Sequence, residues 1–213
     1  GGNADDTITS GSGDDTISSG NDADTIILGL NLTSADTLDG GAGLDELRFT
    51  DNGASTSDLD GVTNVETVTL GDAATAVTTV DTLVGNGQTL TVTAAALKGA
   101  NSLIWDGSVE TDGSFNITGS TQADTIKGGD ADDTIDGGAG ADNIASGSGD
   151  DTISGGAGAD TLRGGAGTDI ILAGSDADTI ILGLNLTSAD TLDGGAGLDE
   201  LRFTDSGAST SDL

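Results

Sequence analysis

The sequence predicts an all-β chain in which two parallel β-solenoid arrays flank a β-rich spacer. Three observations predict it. A nine-residue, Gly- and Asp-rich repeat fills both ends of the chain. Between them the pattern changes to Thr/Val alternation, the period of a strand. Only one short stretch, Thr93 to Lys98, carries any helical character.

The repeat is clearest from Gly119: GSTQADTIK, GGDADDTID, GGAGADNIA, SGSGDDTIS, GGAGADTLR, GGAGTDIIL and AGSDADTII. A twelve-residue variant, LGLNLTSADTLD, follows, and GGAGLDELR ends the array at Arg202. Five more units run from GGNADDTIT to GGAGLDELR at 40–48, which makes fourteen in all. Every unit carries Asp at its sixth position and Ile or Leu at its eighth, with the variant aligned on its last residues. A longer period of 154 residues encloses the short one: Asp22 to Leu59 matches Asp176 to Leu213 with one exception, Asn52 against Ser206. Residues 1–48 therefore read as the end of one array. Residues 49–118 are the spacer, 119–202 an array of nine units, and 203–213 the start of the next spacer. With no Met, the chain reads as a piece of a longer tandem protein.

Each unit divides into a six-residue turn and a three-residue strand. Two glycines open the turn, where the backbone needs positive φ or close approach. In the strand x-U-x, U faces inward and its neighbours outward. Thr at position seven is a solvent-facing strand former; an ice-binding Thr ladder is a poorer reading, because no ordered Thr or Asn pattern flanks the aspartates. Two units make a coil of eighteen residues, with two short parallel sheets around a thin Ile/Leu core. In the spacer, Val65–Leu70, Thr89–Ala94 and Phe115–Ile117 read as strands. They form either longer rungs on the same axis or a small β-sandwich. Trp105, Phe49 and Phe115, with Phe203 as the counterpart of Phe49, are the large apolar side chains. Trp105 reads as core, with a sugar-stacking platform as the alternative.

Such a fold is short of cohesion. Three-residue strands bury little, and Gly-rich turns lose much entropy on ordering. The chain has 37 Asp plus Glu against 5 Lys plus Arg, a net charge of -32. Stacked coils place sixth-position carboxylates along one edge about 4.8 Å apart, where two charges repel by roughly 3.5 kcal/mol at an effective dielectric of about 20. A divalent cation between successive turns reverses that sign. Ca²⁺ suits the task, since it takes six to eight oxygens in flexible geometry; Mg²⁺ demands a tighter octahedron.

Composition excludes other chemistries. There is no Cys, His, Pro or Met. No disulfide, no common zinc or copper site, and no Ser-His or Cys-His pair can form. The acidic excess argues against nucleic acid, and no apolar run is long enough to insert in a membrane. Carboxylates stand in every turn, so none is singled out as a catalytic acid, and the chain is not expected to be an enzyme.

GGAGADTLR at 155–163 resembles the RTX nonapeptide G-G-x-G-x-D-x-U-x. The resemblance covers residues 1–48 and 119–202. It implies a right-handed parallel β-roll with multiple Ca²⁺ ions between successive turns, held by turn carbonyls and sixth-position carboxylates. Carried over, those ligands are Asp6, Asp15, Asp24, Asp36, Asp45, Asp124, Asp133, Asp142, Asp151, Asp160, Asp169, Asp178, Asp190 and Asp199. Asp36 and Asp190 lie in the twelve-residue variant, a distorted or empty turn. Asp45 and Asp199 end an array and lack a partner turn. The family further implies type I secretion, with folding outside the cell.

Three functions compete. The first is a structural repeat of an extracellular surface layer, filament or adhesin, whose partners are Ca²⁺, further copies of the repeat and neighbouring chains. The second is a folding and secretion module of a larger enzyme or toxin. The third is a glycan-binding adhesin repeat, for which a surface glycan is the partner. The tandem 154-residue period favours the first.

Overall fold

The structure, a computed structural model, describes residues 1–50, 59–182 and 186–203. Among these residues all regular structure is β, in 21 strands that pair only in parallel. None forms a helix long and apolar enough to cross a membrane. Thr93 to Lys98 is no helix either: Thr93 ends the strand Thr89–Thr93, and a turn follows in which Leu97 N–H donates to the Ala94 carbonyl. Tertiary stacking overrides local propensity there.

Alternate strands fall on alternate faces. One face is a continuous ten-stranded sheet, running from Thr7–Thr9 to Thr191–Asp193. The other is interrupted. Four strands run from Gly2–Asn3 to Val62–Thr63, and seven from Thr75–Thr78 to Glu200–Phe203. The spacer is thus a set of longer rungs on the same axis, not a sandwich. The coil is 18 residues in the second array, 21 around the twelve-residue variant, and longer in the spacer, 24 from Val68 to Val92, 25 from Thr89 to Ser114 and 28 from Thr75 to Leu103.

Period-two alternation explains the core. On the ten-stranded face, the inward residues Ile8, Ile26, Leu47, Val68, Val92, Ile117, Ile135, Ile153, Ile171 and Leu192 stand in register, one above another. On the other face Trp105 occupies the same column as Val77, Ile126, Ile144, Leu162 and Ile180. Each such side chain contributes about 1.5–3 kcal/mol by leaving water. Trp105 is wholly buried and meets Phe115 edge to face, with centroids 5.7 Å apart at 81°. It is core, not a surface platform. Phe49 is buried under the next rung, where it pairs with Leu70. Its counterpart Phe203 lies exposed on the last described strand.

Turn glycines set the coil spacing. Gly156 has φ +104, and a Cβ there would strike the carbonyl oxygen of Gly138, one coil away. Its amide neighbour closes the turn, with Ala157 N–H donating to that carbonyl at 2.9 Å. The identical segments do not share a face. Thr25–Gly29 lies in the ten-stranded sheet, but its copy Thr179–Leu182 lies in the seven-stranded one.

Candidate metal centre

The sixth-position aspartates sit where a turn enters a strand, and there they form ladders. The main-chain N–H of one donates to Oδ1 of the next, one coil along. Asp124 N–H reaches Asp142 at 2.7 Å, Asp142 reaches Asp160 at 2.8 Å, and Asp160 reaches Asp178 at 2.8 Å. Asp178 N–H continues to Asp199 at 3.1 Å. Asp133, Asp151, Asp169 and Asp190 form a second ladder. In the first array, Asp6, Asp24 and Asp45 form one ladder, and Asp15 with Asp36 the other. The aspartates therefore occupy two edges rather than one, because each coil contains two turns. In the regular turns the carbonyl of the sixth residue also accepts the N–H that opens the strand one coil on, as Thr161 N–H does to Asp142 at 2.8 Å.

This geometry buries charge. Asp24, Asp36, Asp45, Asp124, Asp133, Asp142, Asp151, Asp160, Asp169 and Asp178 are only 1–5% exposed. Asp6, Asp15 and Asp190 are half-buried, and Asp199 is exposed. Burial pushes the Asp142 and Asp151 carboxyls up to about 7, with stacked aspartates adding to the rise. Asp133 and Asp160 rise to about 6 for the same first reason. Asp45, Asp169 and Asp178 are also raised, again chiefly by burial.

The second carboxylate oxygen decides whether a cation fits. Oδ2 of Asp15, Asp24, Asp45, Asp142, Asp160 and Asp178 is buried without a hydrogen-bond partner. An unpartnered buried anion is costly, so these oxygens call for a positive charge. Where the turn opens on glycine, the backbone comes close to that oxygen: a Cβ on Gly155 would meet both Asp160 Oδ2 and the Ala173 carbonyl oxygen at 2.5 Å. A carboxylate oxygen and a main-chain carbonyl of the next coil thus lie side by side against the first glycine of the turn. Hard oxygens of this kind suit Ca²⁺. Among the described residues, no three acidic side chains converge as one cluster. The donors must come from aspartates on successive coils together with turn carbonyls.

Other positions are already closed by the protein. Asp36 Oδ2 accepts Thr33 N–H at 2.8 Å, and Asp190 Oδ2 accepts Thr187 N–H at 2.7 Å. The three additional residues of the variant unit make an internal turn there. Asp124 Oδ2 takes Ser120 N–H at 2.6 Å, and Asp133 Oδ2 takes Gly129 N–H at 2.8 Å. Asp45 does not lack a partner turn: its N–H donates to Glu66 Oε2 at 2.7 Å.

Glu66 and Glu110 are the acidic residues that sequence reasoning missed. Glu66-Thr-Val-Thr repeats the Asp-Thr-U-x signature with one carbon more, a signal that was present in the spacer. Glu110, wholly buried, accepts Gly113 N–H at 3.1 Å and Val84 N–H at 3.3 Å, stapling two spacer rungs. A second, outer file uses the first Asp of the doublets at 132–133 and 150–151. Asp150 N–H donates to Asp132, and Thr168 N–H to Asp150.

Comparison with known families finds the model of the RTX calcium-binding nonapeptide repeat (4 copies) in five segments. It matches residues 1–31, 33–48, 116–144, 145–180 and 187–202, more than half of the chain. No curated protein matches the chain.

Proposed function

Because the chain belongs to the RTX calcium-binding nonapeptide repeat family, we propose that it is a calcium-stapled structural repeat of an extracellular bacterial protein of the surface-layer, filament or adhesin type. One observation carries the calcium part: buried sixth-position carboxylates stack coil upon coil, each with one oxygen held by a main-chain N–H and, at Asp24, Asp45, Asp142, Asp160 and Asp178, the other without a partner.

A bound Ca²⁺ supplies the positive charge and the oxygen coordination that a stack of buried anions lacks. The remaining work belongs to the chain. Oδ1 of each aspartate fixes the register of neighbouring coils by accepting an N–H. Where the turn opens on glycine, the backbone of the turn packs close against Oδ2. The Ile/Leu columns hold the two sheets together once the charge is neutralised. Metal binding and folding are then one event.

The structural role is supported by the 154-residue duplication and by stacking that runs through the spacer without a break on the ten-stranded face. Array and spacer share one axis, which suits a stalk or coat. No catalytic role is assigned to these carboxylates, because the same turn recurs along both edges. Secretion before folding agrees with a chain that has no Cys to act as an alternative staple.

Circular dichroism through a calcium titration tests the reading. The chain is expected to be largely disordered in EGTA and β-rich with Ca²⁺. An EGTA-resistant, fully folded protein overturns it.

A further inference from the structure

The acidic ladder does not stop where the nonapeptides stop. Asp45 closes the last repeat of the first array, and the family match ends three residues later, at 48. Yet Asp45 N–H is received by Glu66 at 2.7 Å, 21 residues on, just as Asp24 N–H is received by Asp45 at 2.8 Å. The strand Thr67–Leu70 that follows Glu66 pairs in register with Glu46–Phe49. Glu66 therefore holds the place of a sixth-position aspartate, in a segment with no glycine pair before it.

The rest of the turn is rebuilt from other residues. Asn64 takes the left-handed conformation, φ +52, that a glycine supplies elsewhere. Its side-chain amide donates to Asp39 at 2.7 Å, which fixes it on the preceding coil. A Cβ on Gly40 would strike the Asn64 carbonyl oxygen and meet Asp45 Oδ2 at 2.9 Å. The same two kinds of atom flank Gly155 in the regular array, namely a carbonyl of the next coil and the unit's own Oδ2. Asp45 is 1% exposed, and its Oδ2 has no hydrogen-bond partner. The buried, unpartnered oxygen of Asp45 thus lies against the same glycine as the Asn64 carbonyl, and Glu66 is bonded to the Asp45 main chain.

We propose that Asp45, Glu66 and the Asn64 carbonyl hold an additional divalent cation, of the oxygen-seeking calcium class, at the junction of the first array and the spacer. The inference rests on the calcium-binding reading above and extends it to residues outside the nonapeptides. The site ties the spacer's first rung to the array, so the metal-dependent fold is continuous across the boundary.

Native mass spectrometry of the whole chain in saturating Ca²⁺ tests this by counting ions. Glu66→Gln is the informative variant, because its amide oxygen can still accept Asp45 N–H while the charge is lost. It is expected to carry one ion fewer than the parent, with an unchanged circular dichroism spectrum. Glu46→Gln alters the neighbouring Arg48 ion pair and is expected to keep the full count. An undiminished count in Glu66→Gln overturns the proposal and leaves the calcium reading standing. A parent chain that binds no calcium overturns both. A second measurement needs no variant: anomalous diffraction from the unmodified protein loaded with a lanthanide. A peak between Asp45 and Glu66 supports the site, and peaks confined to the nonapeptide turns overturn it.

Discussion

Acid should replace calcium in part. Asp142 is almost wholly buried, and its carboxyl rises from 3.8 to about 7, through burial first and then the charges of Asp124 and Asp160. A group raised in this way binds its proton more tightly in the fold than in the unfolded chain. Its contribution to stability is complete below about 3.8 and is lost as the pH climbs through about 7. The rise corresponds to at most about 4 kcal/mol for Asp142, and the rise of Asp160 to about 6 corresponds to about 3 kcal/mol. The two stack on one edge and titrate together, so these figures do not add. Either alone is a large share of a domain's net stability of about 5–15 kcal/mol. The calcium-free chain is therefore expected to gain β-structure between about pH 8 and pH 5, read by far-UV circular dichroism after exhaustive chelation and dialysis. Asp142→Asn separates this effect from general loss of surface charge. The amide oxygen can still receive Asp124 N–H, but no proton is needed. The variant should stabilise the calcium-free chain at about pH 8 by a few kcal/mol and weaken the calcium-loaded one. A calcium-free chain equally disordered at both pH values, or an Asp142→Asn variant that is less stable without calcium, would refute the reasoning.

Two further outcomes follow from packing. Gly156→Ala places a methyl group against the Gly138 carbonyl at φ +104. It should cost roughly 1–3 kcal/mol and raise the calcium concentration at the folding midpoint, whereas Gly2→Ala, with open space around its Cβ, should shift it far less. Trp105→Ala empties the largest fully buried side chain of the spacer and should cost about 3–5 kcal/mol. Urea unfolding in saturating calcium measures it, and a loss under about 1 kcal/mol would show that the rung is not packed as described.

The arrays were legible because two short-range signals coincide in every unit, an Asp at position six and an apolar residue at position eight. Together they fix the strand, its inward face and the residue at the strand's entrance. The two-edge arrangement needed only the arithmetic of two units per coil. The spacer was harder. Its strands could be seen from Thr/Val alternation, but alternation says which side chains share a face, not which neighbour the strand pairs with. Val92 stacks on Val68 and Ile117 across rungs of unequal length, and no local residue announces that. The stretch Thr93 to Lys98 looked helical because Ala and Leu favour helices in isolation; between two rungs, the Ala94 amide instead donates to the Thr118 carbonyl. Glu66 and Glu110 were missed because a search for aspartate at a fixed spacing passes over a glutamate whose longer side chain reaches the same place.

The two identical segments on different faces carry a geometric consequence. Thr25–Gly29 belongs to the ten-stranded sheet and Thr179–Leu182 to the seven-stranded one; Thr37–Ala42 and Thr191–Asp193 exchange sides likewise. One 154-residue period therefore spans an odd number of half-coils. Strung in series, such periods are related by a half-turn screw about the rod axis, and the structural repeat is twice the genetic one. A surface displayed to the left by one copy is displayed to the right by the next. In such a series, one set of side chains is presented on both flanks.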